Sequence, residues 1–169
     1  GSLFEIENGV LTVVSVDGFR LALRREEIDG ENGEKISFVV PGSALSEIEK
    51  IAADSEEPAT ICLGDKHIMF IIGSTELVSR RLEGEFLDYN AAIPKVSKTT
   101  VKVNTRGLTD SVERTSLLIS DRLRSPIRLA VTENKVQLSC STAMGKAHDE
   151  VDCEVQGESV SMGFNNKYL

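Results

Sequence analysis

The sequence is poor in the residues that most often carry chemistry. It has two histidines, His67 and His148, in 169 residues, which nearly excludes a histidine-based metal or catalytic cluster. Its cysteines, Cys62, Cys140 and Cys153, are far apart, and none sits in a CxxC or near a histidine at ligand spacing. They read as reduced, mostly buried thiols of a cytosolic protein. No apolar run approaches the length of about 18 residues that a membrane-spanning helix needs. No basic-then-apolar segment of the secretory kind opens the chain, and Gly1-Ser2 reads as a cloning scar. GxSxG, P-loop, HExxH and Gly-rich dinucleotide motifs are all missing. The acidic groups Glu26-Glu27, Glu56-Glu57 and Asp149-Glu150 with Asp152 fall in expected loops or on exposed strand faces, where carboxylates stay solvated. The expectation is therefore no catalytic residue, no metal site and no cofactor.

What is present is ordinary globular composition, 40% apolar and 27% charged, enough for one or two cores. The net charge of −8 is unevenly spread. Residues 1–94 carry 8 basic and 18 acidic side chains, whereas residues 95–169 carry 11 and 9. Within 95–128 the balance is 8 basic to 3 acidic. Phosphate contact needs a local positive surface, not a basic whole. A solvated charged face is the plainer reading of such a run.

Strand patterns dominate the chain. Residues 3–8 and 10–16 are apolar and β-branched runs joined by Asn8-Gly9, a strong hairpin signal. The Asp17-Gly18 turn leads to a strand over 19–25, in which Phe19, Leu21 and Leu23 alternate with Arg20, Ala22 and Arg24. Residues 35–40 form a strand stopped by Pro41-Gly42, with Ser43 placed to cap a helix. Leu45, Ile48, Ile51 and Ala52 share one face of that helix, which ends near Ala53. Strands follow over 59–63, 67–72 and 75–82. Gly84 to Pro94 reads as an irregular linker.

The pattern then restarts. A strand over 99–104 precedes a helix from about Arg106 to Ile119, with Leu108, Val112, Thr115 and Ile119 on one face. Leu117 and Leu118 cannot both join that narrow stripe, so at least one is expected to be exposed. Strands follow over 127–132, 135–141 and 147–155, and 159–164 begins another unit. The order is βββ, βαβββ, βαβββ, β, with the two helices about 64 residues apart, the mark of a repeat. Antiparallel strands with one helix per unit imply an α+β layer architecture.

Six strings now carry a family resemblance: VDGFRLA at 16–22, ISFVVPGSALSEIEKI at 37–52, RRLEGEFLDY at 80–89, IP at 93–94, ERTSLLIS at 113–120 and GFNNKYL at 163–169. In this order and spacing the chain resembles the sliding clamps, the β subunits of bacterial DNA polymerase III. The resemblance covers essentially all of residues 3–169. It implies the DNA clamp fold, with three domains of two βαβββ halves closing as a head-to-tail homodimer around double-stranded DNA. Residues 3–94 would be the second domain without its first strand and helix. Residues 95–169 would be the N-terminal half of the third.

The resemblance implies a non-enzymatic, cytoplasmic processivity factor. Its partners would be replicative and repair polymerases and the clamp loader, docking through short peptide motifs. Val16, Gly18, Phe19, Arg20 and Leu21 match one wall of the peptide pocket, Leu87, Ala91 and Ala92 the linker side, and Asn165 and Tyr168 the third-domain side. Phe19 stands where the family often has His and Leu87 where it often has Pro, and Ala91 and Ala92 are smaller than usual, so a differently shaped pocket is expected. Arg114 and Arg124 match DNA-facing positions, with Arg20 a further candidate. Gly42 and Ser43 replace residues that tend to be basic. Leu117 and Leu118 match the dimer interface. The rival expectation, drawn from the acidic first half, is a β-rich interaction module without a DNA role.

Overall fold

Asn8 and Gly9 both adopt positive φ, 51° and 75°, the backbone that an Asn-Gly pair accepts in a two-residue hairpin. They join β1 (Ser2–Glu7) to β2 (Val10–Val16). This computed structural model describes residues 1–29, 33–53, 55–120 and 125–169. The chain divides into two units, Gly1–Ile93 and Pro94–Leu169.

In the first unit β3 (Leu21–Glu27) and β4 (Ile36–Val40) complete an antiparallel sheet of order β3-β2-β1-β4. Ser2 is part of β1: it is buried, and its hydroxyl lies 2.6 Å from that of Ser15. β3 begins two residues later than the alternation of 19–25 suggests, because Phe19 and Arg20 are held in the turn. The sheet is covered on both faces. Phe4, Ile6, Leu11, Val13, Phe38 and Val40 point into one core; Leu3, Val14, Val16, Leu21, Leu23 and Val39 point into another. Burial on two sides explains why the run VLTVVSV is apolar at neighbouring positions instead of alternating.

α1 (Gly42–Ala52) covers the first of these faces. Its cap is Pro41, with φ −59° and ψ 140°, and no side chain caps it; Ser43 already lies inside the first turn. Ala44 is buried, with Leu45 and Ile48 packed beside it. β5 (Thr60–Leu63), β6 (His67–Ile72) and β7 (Thr75–Arg80) form a meander. Phe70 of β6 meets Phe4 edge-on at 6.5 Å, while Phe4 and Phe38 stack at 5.4 Å. A single bridge, Val39 to Leu82, ties the end of the meander to β4. The segment expected to be an irregular linker holds a short helix, α2 (Tyr89–Ala92), whose Asp88 side chain accepts the Asn90 N–H at 3.1 Å. Four residues are too few to show a helical period in sequence.

In the second unit β8 (Thr99–Val103) leads into α3 (Thr105–Ser116), capped by the Asn104 side chain accepting from Gly107 N–H at 2.9 Å. α3 stops before Ile119, but two tight turns continue it, Leu117 N–H to Arg114 O and Ile119 N–H to Ser116 O. Ile119 therefore still reaches the core. β9 (Ile127–Thr132), β10 (Lys135–Thr142), β11 (Gly145–Gly157) and β12 (Val160–Phe164) make a sheet of order β12-β9-β10-β11-β8. β11 is longer at both ends than the 147–155 pattern implies. Ile127, Leu129, Val131, Val136 and Leu138 are buried beneath Leu108 and Val112 of α3. The fully buried Ser111 and Thr115 are the small residues that let the helix approach the sheet.

The sheet order β3-β2-β1-β4 has the same form as β11-β10-β9-β12. In each, a three-strand meander gains one later strand beside its first member, all antiparallel. The α+β repeat is thus present in the hydrogen bonding as well as in the element order. Among the described residues no helix is long and apolar enough to cross a membrane.

Candidate functional site

The turn between β2 and β3 is built by one carboxylate. Asp17 Oδ1 accepts the backbone N–H groups of Phe19 and Arg20, both at 3.0 Å, and Asp17 N–H donates to Arg20 O at 3.1 Å. The other oxygen, Oδ2, takes the Arg20 Nε at 2.7 Å. The Arg20 guanidinium and the Phe19 amide hold the Asp17 carboxyl below its ordinary value. The turn presents the Phe19 ring at 77% exposure, large for a phenylalanine on a folded surface. Gly18 and Arg20 are also exposed. Val16 and Leu21, which flank the turn, are half-buried in the cluster of Leu3, Val14 and Tyr89.

That cluster fixes the connector. Tyr89 is 7% exposed and Phe86 packs beside it. The Tyr89 hydroxyl donates to Glu5 Oε2 at 2.6 Å, and Lys35 Nζ meets Glu5 Oε1 at 2.7 Å. Burial raises the proton affinity of Glu5, but Lys35 and Tyr89 outweigh it, and the carboxyl ends below its ordinary value. Glu5 in turn pushes the Tyr89 phenol up. A cleft of about 660 Å³ opens beside this triad, between the connector, β4 and the Arg81–Gly84 stretch. Leu87 and Asn90 line it. Ala91 and Ala92 lie exposed on α2. So Val16 and Leu21 share one cluster with the side chains that anchor the connector carrying Leu87, Ala91 and Ala92.

In the second unit Asn165 closes the turn that carries Tyr168: its Oδ1 accepts Lys167 N–H and its carbonyl accepts Tyr168 N–H, each at 3.0 Å. Tyr168 is 40% exposed. Arg114, on α3, donates from Nε and Nη2 to Asp149 Oδ2 on β11, at 2.8 and 2.7 Å. This pair holds the Asp149 carboxyl below its ordinary value, so Asp149 is not the simply solvated charge that its acidic neighbours suggest. Arg124 lies outside the described residues. Leu117 is 83% exposed and Leu118 half-buried, the split that helical periodicity requires. Burial, with Asp152 nearby, pushes the Cys153 thiol up, as for an unreactive cysteine.

Sequence reasoning misses Tyr89, Glu5, Lys35 and Asp149 as partners. Tyr89 and Glu5 are 84 residues apart and Arg114 and Asp149 35 apart, and no local pattern links such pairs. The one available signal is Asp149 itself, a charge on the inward row of β11.

Comparison with known proteins adds to this geometry. A family model described as the central domain of the DNA polymerase III beta subunit matches residues 1–88, and the model of the same subunit's C-terminal domain matches residues 90–169. The beta sliding clamp of Staphylococcus epidermidis is 30% identical over 166 residues, covering 97% of this chain and 44% of that protein. The sliding clamp structure from Bacillus subtilis superposes with a TM-score of 0.93 at 28% identity, over 99% of this chain and 45% of that one. The beta subunit from Thermotoga maritima gives 0.86 at 31%, over 99% and 46%. The chain therefore spans less than half the length of the relatives it matches.

Proposed function

This chain belongs to the DNA polymerase III beta subunit family, and from that premise we propose that it is part of a processivity clamp that encircles DNA and docks its partners through a peptide pocket. The observation that carries the reading is the shared anchorage of the Val16–Leu21 turn and the Leu87–Ala92 connector on one apolar cluster. Partners that dock short motifs need a few apolar side chains held in a preformed cleft.

In this reading Val16, Gly18, Phe19, Arg20, Leu21, Leu87, Ala91, Ala92, Asn165 and Tyr168 contact the peptides of polymerases and clamp loader. Arg114 and Arg124 face double-stranded DNA, and the exposed Leu117 with Leu118 joins a second copy. Residues 3–94 supply most of the second clamp domain and residues 95–169 the first half of the third. The protein is cytoplasmic and non-catalytic; it acts by topology, raising the local concentration of the polymerase at its template.

The test is titration of the 169-residue chain with a short peptide carrying a glutamine followed by spaced leucines and a phenylalanine, read by NMR. Shifts are expected at Gly18–Leu21. Perturbation elsewhere with that turn silent would overturn the site assignment. The strongly acidic residues 1–94 favour the rival reading, an interaction module without DNA. That rival predicts peptide binding with no response to duplex DNA at any salt concentration.

A further inference from the structure

We propose that Asp149 sets how strongly the α3 face holds a DNA phosphate, by positioning the Arg114 guanidinium and partly neutralising it; the inference rests on the DNA-facing reading of Arg114 above. The strand pattern points to Asp149 first. Along β11 the half-buried positions alternate as Ala147, Asp149, Val151, Cys153 and Val155. Cys153 and Val155 pack against the core, and a Cβ on Gly107 of α3 would lie 3.4 Å from Val151. This row therefore faces the helix, and an ionised carboxylate in it needs a charged partner.

Arg114 is that partner, and the arrangement is fixed from both sides. Its Nε and Nη2 converge on Oδ2, while Asp149 Oδ1 accepts the Glu150 N–H at 2.9 Å. Both carboxylate oxygens are thus engaged, and the Asp149 side chain is 26% exposed. A long-range pair on the opposite face of β11, Lys102 with Glu154, is loose by comparison, at 3.6 Å with both side chains about 80% exposed. Arg114 itself is 59% exposed. A guanidinium has five N–H donors, so the remaining ones can meet a phosphate while one edge stays on Asp149.

The electrostatics follow. A cation and an anion in contact act at a distance as a dipole, so a phosphate several ångströms away is drawn only weakly. The other charges of α3, Arg106, Asp110 and Glu113, leave the helix with no net charge once Arg114 is counted. Asp149 makes the local sum negative. A protein that must hold DNA and still slide needs phosphate contacts that form and break easily.

The experiment is fluorescence anisotropy of a short mixed-sequence duplex against the whole chain over a salt series. Asp149→Asn is expected to bind about threefold tighter at low salt, with a log–log salt slope steeper by up to about 0.9. Asp149→Glu keeps the charge and stays near the native slope, and Arg114→Ala weakens binding about threefold and flattens the slope. If Arg114→Ala weakens binding but Asp149→Asn does not strengthen it, the inference falls and the DNA-facing reading stands. If Arg114→Ala changes nothing, both fall. Amide shifts across α3 report whether Asp149→Asn keeps the fold, and Asp149→Ser carries the same test if it does not.

Discussion

Glu5 holds two partners, Tyr89 and Lys35, and as an ionised carboxylate it ties the connector to the sheet. Its carboxyl lies below the ordinary glutamate value of 4.5, so the folded chain binds this proton less readily than the unfolded one. The resulting stabilisation is fully present above the unfolded value and is lost as pH falls through the lower folded value. Thermal melting followed from neutral pH to about pH 3 should show a declining acid limb that Glu5→Gln makes shallower. Tyr89→Phe keeps the ring in its cluster and removes only the bond to Glu5. It should cost about 1.5 kcal/mol in denaturant unfolding, whereas Tyr89→Ala, which empties the cluster, should cost about 3 kcal/mol or more.

At the scale of elements, the join between β11 and β8 is tightly constrained. Gly157 has φ +114°, and a Cβ there would run into the Lys98 carbonyl oxygen. It ends β11 opposite Thr99, whose hydroxyl donates to Glu158 O at 2.8 Å. Gly157→Ala should destabilise this unit by about 2 kcal/mol or more, with β8 amides losing exchange protection first. The elements themselves were largely legible in the residues. Asn8-Gly9, the two helical stripes and the alternation in 127–141 each obey a local rule. What escaped was set by particular contacts that no periodic pattern records, two of them local and one distant in sequence. β3 starts late because a single carboxylate captures two amides. α1 does without the Ser43 cap because Pro41 already supplies the entry geometry. The connector is ordered because Tyr89 finds a pocket on a sheet more than 80 residues earlier. The candidate site was legible only as a family pattern; its Arg114–Asp149 pair belongs to no local signal.

At the scale of the molecule, the buried residues of the Gly1–Ile93 cores and those of the Pro94–Leu169 core are separate sets among the described residues. Ile68 and Leu138 are both fully buried, one in each unit. Ile68→Ala and Leu138→Ala should each cost about 3 kcal/mol. Native-state hydrogen exchange should find the loss in β5–β7 for the first and in β9–β11 for the second. A uniform loss across both units from either substitution would contradict two separate cores.

The matching sheet orders have one more consequence. β4 opens the βαβββ module of the first unit yet hydrogen-bonds to β1, in the meander before it, and β12 stands to β9 as β4 does to β1. The boundary written in the chain is therefore offset by one strand from the boundary written in the sheets, like courses of brick laid in running bond. A nick in the chain between β3 and β4 would cut the peptide without parting the wall, because the strand beyond the cut stays laced to the course before it. A module exchanged before β4 must bring a strand that pairs with β1, whereas one exchanged after β4 need not.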